Sequence, residues 1–276
     1  MKKRILFFLS LLICVTLVTG CSCSNKSDAD TQNTTAKVEE NVQVNQTEQN
    51  NEAQNKVEAP AEPYTNGHTI VIDPGHQTKD SSETEPVGPG SKEMKLKDTS
   101  GTTGVVTGLP EYELNRQVSF KLKEELEKRG YKVILTRTQN EGRISCIERA
   151  EVANNANADA FIRIHANGVD GESANGVMTI CQTSSNPYNG NIYSECKRLS
   201  VDVLDELVAA TGAKREYVWE TDSMTGNNWS RVPVTLVEMG YMSNPREDRL
   251  MATDDYQWKI VSGIANGIDR FFNEKV

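Results

Sequence analysis

Along residues 67–276, apolar residues fall by turns into short continuous runs and helical stripes. Residues 69–72 are a β-branched run that reads as a strand. In 111–129, Leu114, Val118, Leu122 and Leu126 recur at helical spacing, and Gly130 follows where a left-handed residue would close the helix. A strand is predicted at 131–136. A second helix follows over 143–157, through Ile144, Ile147, Ala150 and Val152. Strands at 160–164 and 176–181 precede a third helix at 192–210. Residues 234–237 are apolar throughout, as in a strand buried on both faces. The last helix, 254–272, places Ile260, Ile264, Ile268 and Phe271 on one stripe. Such alternation with short links predicts an α/β fold. One domain is expected, with a central, mostly parallel twisted sheet of about six strands and helices on both faces. Residues 77–109 interrupt the pattern: they are polar, hold five glycines and show no clear element, so they read as a functional or mobile loop.

Ahead of this region the pattern changes. Lys2, Lys3 and Arg4 precede an apolar stretch at 5–18, which is short for a bilayer span and has the charge order of an export signal. The stretch ends Leu17-Val18-Thr19-Gly20-Cys21. That sequence resembles the lipobox of bacterial lipoproteins, which implies a signal peptide over 1–20, a lipid on Cys21 and an exported protein anchored to the cell membrane. Residues 21–66 are rich in Asn, Gln, Thr, Ser and Glu and poor in aromatic and branched side chains. They cannot bury enough surface to offset chain entropy and read as a lipidated, disordered polar tether.

Charge and cysteine content narrow the picture. The chain carries a net charge of −9, and losing Lys2, Lys3 and Arg4 would take it to −12, a surface that repels nucleic acid. No nucleic-acid partner is expected, and retention at an anionic membrane falls to the lipid. Among Cys23, Cys146, Cys181 and Cys196 there is no Cys-x-x-Cys pair. Cys146, Cys181 and Cys196 sit in helix, strand and helix patterns and read as small core residues.

Of three histidines, His76 and His165 follow strand-like runs, in Asp73-Pro74-Gly75-His76 and Ile164-His165-Ala166-Asn167. Open α/β folds keep their sites at the carboxyl ends of strands, so both imidazoles are candidates for one metal ion. A catalytic zinc takes three protein ligands and keeps a fourth position open. His68 lies at the opposite end of the first strand from His76, which leaves a carboxylate as third ligand. Glu111 and Glu113 occupy the first turn of the first long helix, where acids also complement the helix dipole. They point to different sides, so only one can serve. Glu238 follows the buried strand at 234–237, and burial there would raise its pKa toward that of a proton shuttle.

These segments occur in order: Asp73-Pro74-Gly75-His76, the Glu111–Asn115 helix start, Arg137, Arg149 with Ala153-Asn154, Ile164-His165-Ala166-Asn167, and Leu236-Val237-Glu238-Met239-Gly240-Tyr241-Met242-Ser243-Asn244. Together they resemble the zinc-dependent N-acetylmuramoyl-L-alanine amidases of bacterial cell walls, the Amidase_3 family. The resemblance covers essentially all of 68–272. It implies Zn2+ held by His76, Glu111 and His165, with Glu238 as the catalytic acid–base group. It implies a zinc amidase catalytic domain over 67–276, and a peptidoglycan substrate cut between N-acetylmuramic acid and L-alanine. Two departures are visible. Gln77-Thr78 stands where the family usually has Gly-Gly, and Arg163 stands where it usually has serine.

Two other readings share these residues: a noncatalytic wall-binding lipoprotein, and a zinc carboxypeptidase acting on stem peptides. Family members often carry an inserted helix that blocks the metal. Residues 166–191, which already contain a strand, leave little room for it, and no such plug is expected. Tyr188, Tyr193, Tyr217, Trp219 and Trp229 fall in stretches that read as loops and receive no role.

Overall fold

The computed structural model describes residues 64–273. The signal at 1–20, Cys21, and the tether up to residue 63 lie outside the described residues, which all fall within the unit Ala59–Val276.

In chain order the elements are β1 (Thr69–Pro74), β2 (Thr84–Pro86), β3 (Met94–Leu96), α1 (Glu111–Lys128), β4 (Lys132–Leu135), α2 (Cys146–Asn155), β5 (Ala160–Asn167) and β6 (Val177–Cys181). After a 3-10 turn at Gly190–Ile192 come α3 (Tyr193–Thr211), β7 (Arg215–Glu220), α4 (Thr225–Asn228), β8 (Val234–Tyr241), α5 (Pro245–Met251) and α6 (Asp254–Asn273). None of the described helices is long and apolar enough to cross a membrane.

Six strands form one sheet in the order β4-β1-β5-β8-β6-β7. β4, β1, β5 and β8 are mutually parallel; β6 pairs antiparallel with β8 and parallel with β7. The α/β sheet read from the sequence is therefore present, mostly parallel and covered on both faces. Its larger core joins Ile70, Ile72, Ile162 and Ile164 to the apolar stripes of α1, α3 and α6. A smaller one joins Val71 and Phe161 to Ala150 and Ala153 of α2. Strand alternation explains the split, since successive side chains of β1 and β5 point to opposite faces.

Local chemistry sets the ends of the helices. α1 closes as the sequence suggests: Gly130 has φ 86°, its N–H donates to Glu127 O, and the Tyr131 N–H donates to Leu126 O. α2 starts at Cys146, later than its apolar pattern, because Ser145 caps it and Glu148 bonds back to the Ser145 N–H. Cys146, Cys181 and Cys196 are free thiols; the last two are buried and Cys146 is partly exposed.

Several expectations need correction. Residues 77–109 are not featureless, because β2 and β3 pair there as an antiparallel hairpin. Each strand has three residues, too few to show a period-2 pattern, and tertiary contacts hold the hairpin. Trp229 Nε1–H donates to Pro86 O at 3.0 Å, and Asn228 Nδ2–H donates to Val87 O at 2.9 Å. β5 and β8 run further than 160–164 and 234–237, so His165 and Glu238 lie inside strands rather than after them. β7 went unrecognised because an edge strand facing water carries charges among its aromatics. Tyr217 and Trp219 are on that strand, and Tyr193 opens α3.

Candidate metal centre

His76, Glu111 and His165, separated in sequence by 35 and 54 positions, offer ligand atoms that lie within 4.8 Å of one another. Three elements bring them together. β1 delivers His76 just past its carboxyl end, β5 carries His165 in its last turn of pleat, and the first residue of α1 is Glu111. Glu111 Oε1 lies 3.2 Å from both His76 Nε2 and His165 Nδ1, and the two rings meet edge to face at 4.7 Å between centroids. A cleft of about 390 Å³ opens above them between residues 99–102 and 166–168, with Glu238 at its base.

The backbone around the three residues determines their aim. His76 Nδ1–H donates to Thr99 O at 2.9 Å, which turns Nε2 toward Glu111. His76 itself has φ 64°, a left-handed conformation that is strained for a side chain with a Cβ. It is held there by its neighbours. Arg137 Nε–H and Nη2–H donate to the carbonyls of Pro74 and Gly75 at 2.8 and 3.0 Å, and Arg149 Nη1–H reaches Pro74 O at 2.8 Å. Glu111 accepts from the Thr102 N–H at 2.9 Å, and from the Ala166 N–H and Asn115 Nδ2–H at 3.2 Å each. Gly75 and Gly101 leave room for the rings: a Cβ on Gly75 would come within 2.7 Å of three His165 ring atoms, and one on Gly101 within 2.9 Å of two His76 ring atoms.

Glu238 stands beside His165 in register on the adjacent strand, on the same face of the sheet. Half-buried, it is pushed well above the ordinary carboxylate range by desolvation and then by the charge of Glu111, while Arg163 pulls the other way. Burial likewise holds the His165 imidazole down at about 4, against the hydrogen bond its ring can donate to Glu111. At His76 burial acts against protonation, yet the contact and charge of Glu111 outweigh it and raise the group. For Glu111, burial is outweighed by both imidazoles, which hold its carboxyl well below the usual range.

A buried ion-pair layer underlies the site. Asp73 Oδ1 accepts from Arg149 Nη1–H at 2.8 Å and from Thr136 Oγ1–H at 2.6 Å, and Asp73 Oδ2 accepts from Arg163 Nε–H at 3.0 Å. Arg163 therefore sits behind the imidazoles, one row down the sheet from His165, with its charge spent on Asp73 and on Asn227 Oδ1 at 3.2 Å. Gln77 is also structural: it is 2% exposed, donates to Asp98 Oδ2 at 2.9 Å and accepts from the Ile144 N–H at 3.2 Å.

Glu113 is turned elsewhere, accepting from Arg116, Gln117 and Asn140. His68 is at the far end of β1, stacked on Phe272 at 4.0 Å. Thr99 and Gly101 contribute to the site without any signal in the sequence, since both lie in the stretch that lacks periodicity. Asn115 had one: it stands four residues after Glu111, on the same helix face.

Two imidazoles and a carboxylate form a donor set that suits zinc. His165 Nε2 and Glu238 Oε2 are both buried and have no hydrogen-bond partner, an arrangement that favours an additional bound group. The residues fit the metal.

Comparison with known proteins identifies the family. A family model, Amidase_3, described as N-acetylmuramoyl-L-alanine amidase, matches residues 70–270. An N-acetylmuramoyl-L-alanine amidase of Mycobacterium tuberculosis is 27% identical over 212 residues, spanning 74% of this chain and 86% of that protein. A germination-specific N-acetylmuramoyl-L-alanine amidase of Bacillus subtilis is 27% identical over 226 residues, 76% of this chain and 81% of that protein. Among solved structures, the apo form of an N-acetylmuramyl-L-alanine amidase from Mycobacterium abscessus has a TM-score of 0.67 at 26% identity, covering 75% of this chain and 99% of that one. The corresponding protein from Mycobacterium smegmatis shares the fold at a TM-score of 0.68 and 24% identity, over 76% and 98% of the two chains.

Proposed function

The chain belongs to the Amidase_3 family of N-acetylmuramoyl-L-alanine amidases, and on that premise we propose that it hydrolyses the amide between the lactyl group of N-acetylmuramic acid and the L-alanine of the peptidoglycan stem peptide. In this reading His76, Glu111 and His165 hold one zinc ion. When bound, zinc supplies Lewis acidity, which makes water nucleophilic near neutral pH and steadies negative charge on the carbonyl oxygen.

The chain's own groups do the rest. Glu238, level with His165 and raised in pKa, accepts the proton as water attacks the lactyl carbonyl, then returns it to the departing amino group of L-alanine. Glu111 has two jobs: one carboxylate oxygen faces both imidazoles, and the other is fixed by the Thr102 N–H. Arg137 and Arg149 are positioning residues, since they clamp the turn that presents His76. The observation that carries the proposal is the gathering of His76, Glu111 and His165 beside the one acid, Glu238, that is half-buried on the same rim.

The same reading extends to location. Residues 1–20 act as an export signal, Cys21 carries the lipid, and the acidic tether up to residue 66 lets the domain at 67–276 reach the wall from the membrane. Purified protein incubated with peptidoglycan should release L-alanine amino termini while leaving glycan chains and whole stem peptides intact. Glu238→Gln keeps the shape of the side chain but cannot take a proton. Products cut within the peptide, or full activity in that variant, would refute the assignment.

A further inference from the structure

The turn at 104–108 lies just ahead of Glu111, and its tip is held by a carboxylate rather than by packing. Val105 and Val106 are 50% and 45% exposed, so apolar burial does not anchor the tip. Asp248, on α5, is 1% exposed. Its Oδ2 accepts from the Val106 and Thr107 N–H groups at 2.7 and 2.8 Å, and its Oδ1 accepts from Thr107 Oγ1–H at 2.6 Å. A buried carboxylate is unfavourable unless such bonds replace its water, and here these donors all come from one turn. Gly104 is part of the fit. A Cβ there would lie 2.1 Å from Asp248 Oδ1 and 2.4 Å from Thr107 Oγ1.

This turn leads directly into the carboxylate of the metal centre. Residues 102–111 form a closed loop: the Gly104 N–H donates to Leu109 O at 2.9 Å, Thr103 bridges to Pro110, and the Glu111 N–H donates to Thr102 O at 2.9 Å. The Thr102 N–H in turn donates to Glu111 Oε2 at 2.9 Å. α1 has no side-chain cap at its start, so the loop takes the place of one for the first turn.

A second fastening ties the loop to the strands that carry His165 and Glu238. The Val105 N–H donates to Met242 O at 3.0 Å, and the Met242 N–H donates to Asn167 O at 2.8 Å. Asn167 ends β5, two residues past His165, and Met242 directly follows β8, four residues past Glu238. Asp248 lies on the helix that comes next. The turn is thereby fixed in the frame of the other two groups.

We propose that Asp248 is a positioning residue for Glu111, acting through the turn at 104–108 to hold that ligand in a set place relative to His165 and Glu238. The proposal rests on the zinc reading above and goes beyond it, since Asp248 is neither one of the three ligands nor part of the cleft lining. Without the carboxylate, the exposed tip exchanges its N–H bonds for water, Thr102 moves with it, and the first turn of α1 frays. Glu111 Oε1 then no longer faces both imidazoles at once.

Zinc affinity of the full chain, measured well below Tm by competition with a chromophoric chelator, tests this. Asp248→Ala should raise the zinc Kd about tenfold. Asp248→Asn keeps an oxygen for the two N–H groups and offers its amide N–H to Thr107 Oγ1, so it should stay within about threefold of wild type. Gly104→Ala forces turn and carboxylate apart without removing either, and should weaken zinc as Asp248→Ala does; it decides the matter if the latter does not fold. Asp269→Ala removes the acceptor of Tyr131 Oη–H at 2.7 Å and of Arg129 Nη1–H at 2.6 Å, at the opposite edge of the sheet. It should lower Tm and leave the zinc Kd alone. A zinc Kd unmoved in both Asp248→Ala and Gly104→Ala overturns the proposal even where Tm falls, and so does equal weakening in Asp269→Ala. If the wild-type chain binds no zinc, the metal reading fails instead, so the two failures are distinct.

Discussion

Gly75→Ala isolates the packing that aims His165. The added Cβ would lie within 2.7 Å of Cε1, Nε2 and Nδ1 of that ring, whereas ordinary contact begins near 3.4 Å. The closest of them, Cε1, would lie at 2.3 Å, so about 1.1 Å of separation must be found, from the ring or from the backbone. The backbone is held from both directions: the Gly75 N–H donates to Ile164 O at 2.9 Å, and Gly75 O accepts from Arg137 Nη2–H at 3.0 Å. The ring has to give. It pivots away from Glu111 Oε1, now 3.2 Å from Nδ1, and one of three ligand directions is lost. Overpacking of this kind typically costs about 1–3 kcal/mol of stability, and displacement of a catalytic group by about 1 Å can lower turnover roughly 100-fold. Zinc affinity, measured by competition with a chromophoric chelator, should fall about 10- to 100-fold, with kcat/KM falling in step. A variant whose zinc affinity and kcat/KM both stay within about threefold of wild type would refute the reasoning.

Other outcomes follow from the same geometry. Arg149→Leu withdraws a buried partner of Asp73 and should destabilise the domain by about 3–5 kcal/mol, a fall of roughly 10 °C in Tm by calorimetry. Burial opposes ionisation of Asp73, but Arg149 and Arg163 more than offset it and depress its folded pKa. That stability is present above the ordinary value of 3.8 and lost as pH falls through the folded one, so the gap between variant and wild type should narrow in acid; a constant gap would contradict the pairing. As a base, Glu238 must be ionised, and its raised pKa predicts an acid limb in kcat/KM above the ordinary 4.5. Glu238→Gln should lower kcat about 10²- to 10⁴-fold and erase that limb; a limb that survives the substitution belongs to another group. Chelator should abolish turnover, and zinc added back should restore it and raise Tm in the wild type but not in His165→Ala, a result reversed if zinc binds elsewhere.

The apolar pattern alone was enough for five of the sheet's six strands, the long helices and the inward stripes, because apolar spacing reports directly which side of an element faces the core. Residue chemistry at strand ends likewise singled out His76, His165 and Glu238, while at the start of α1 it left Glu111 and Glu113 open and only the family resemblance chose Glu111. The hairpin β2–β3 and the edge strand β7 escaped, since three-residue strands show no period and a water-facing strand need not be apolar. Separation in the chain hid the most. That Glu111 rather than Glu113 turns toward the imidazoles depends on the angle at which α1 meets the sheet, and a helix start offers two acids about 200° apart. That Arg137 and Arg149 brace the His76 turn depends on strand order and register. Local sequence sets what each segment can become and which groups it carries; only the packed chain sets which of those groups meet, because their separations are fixed by pairings between residues scores of positions apart.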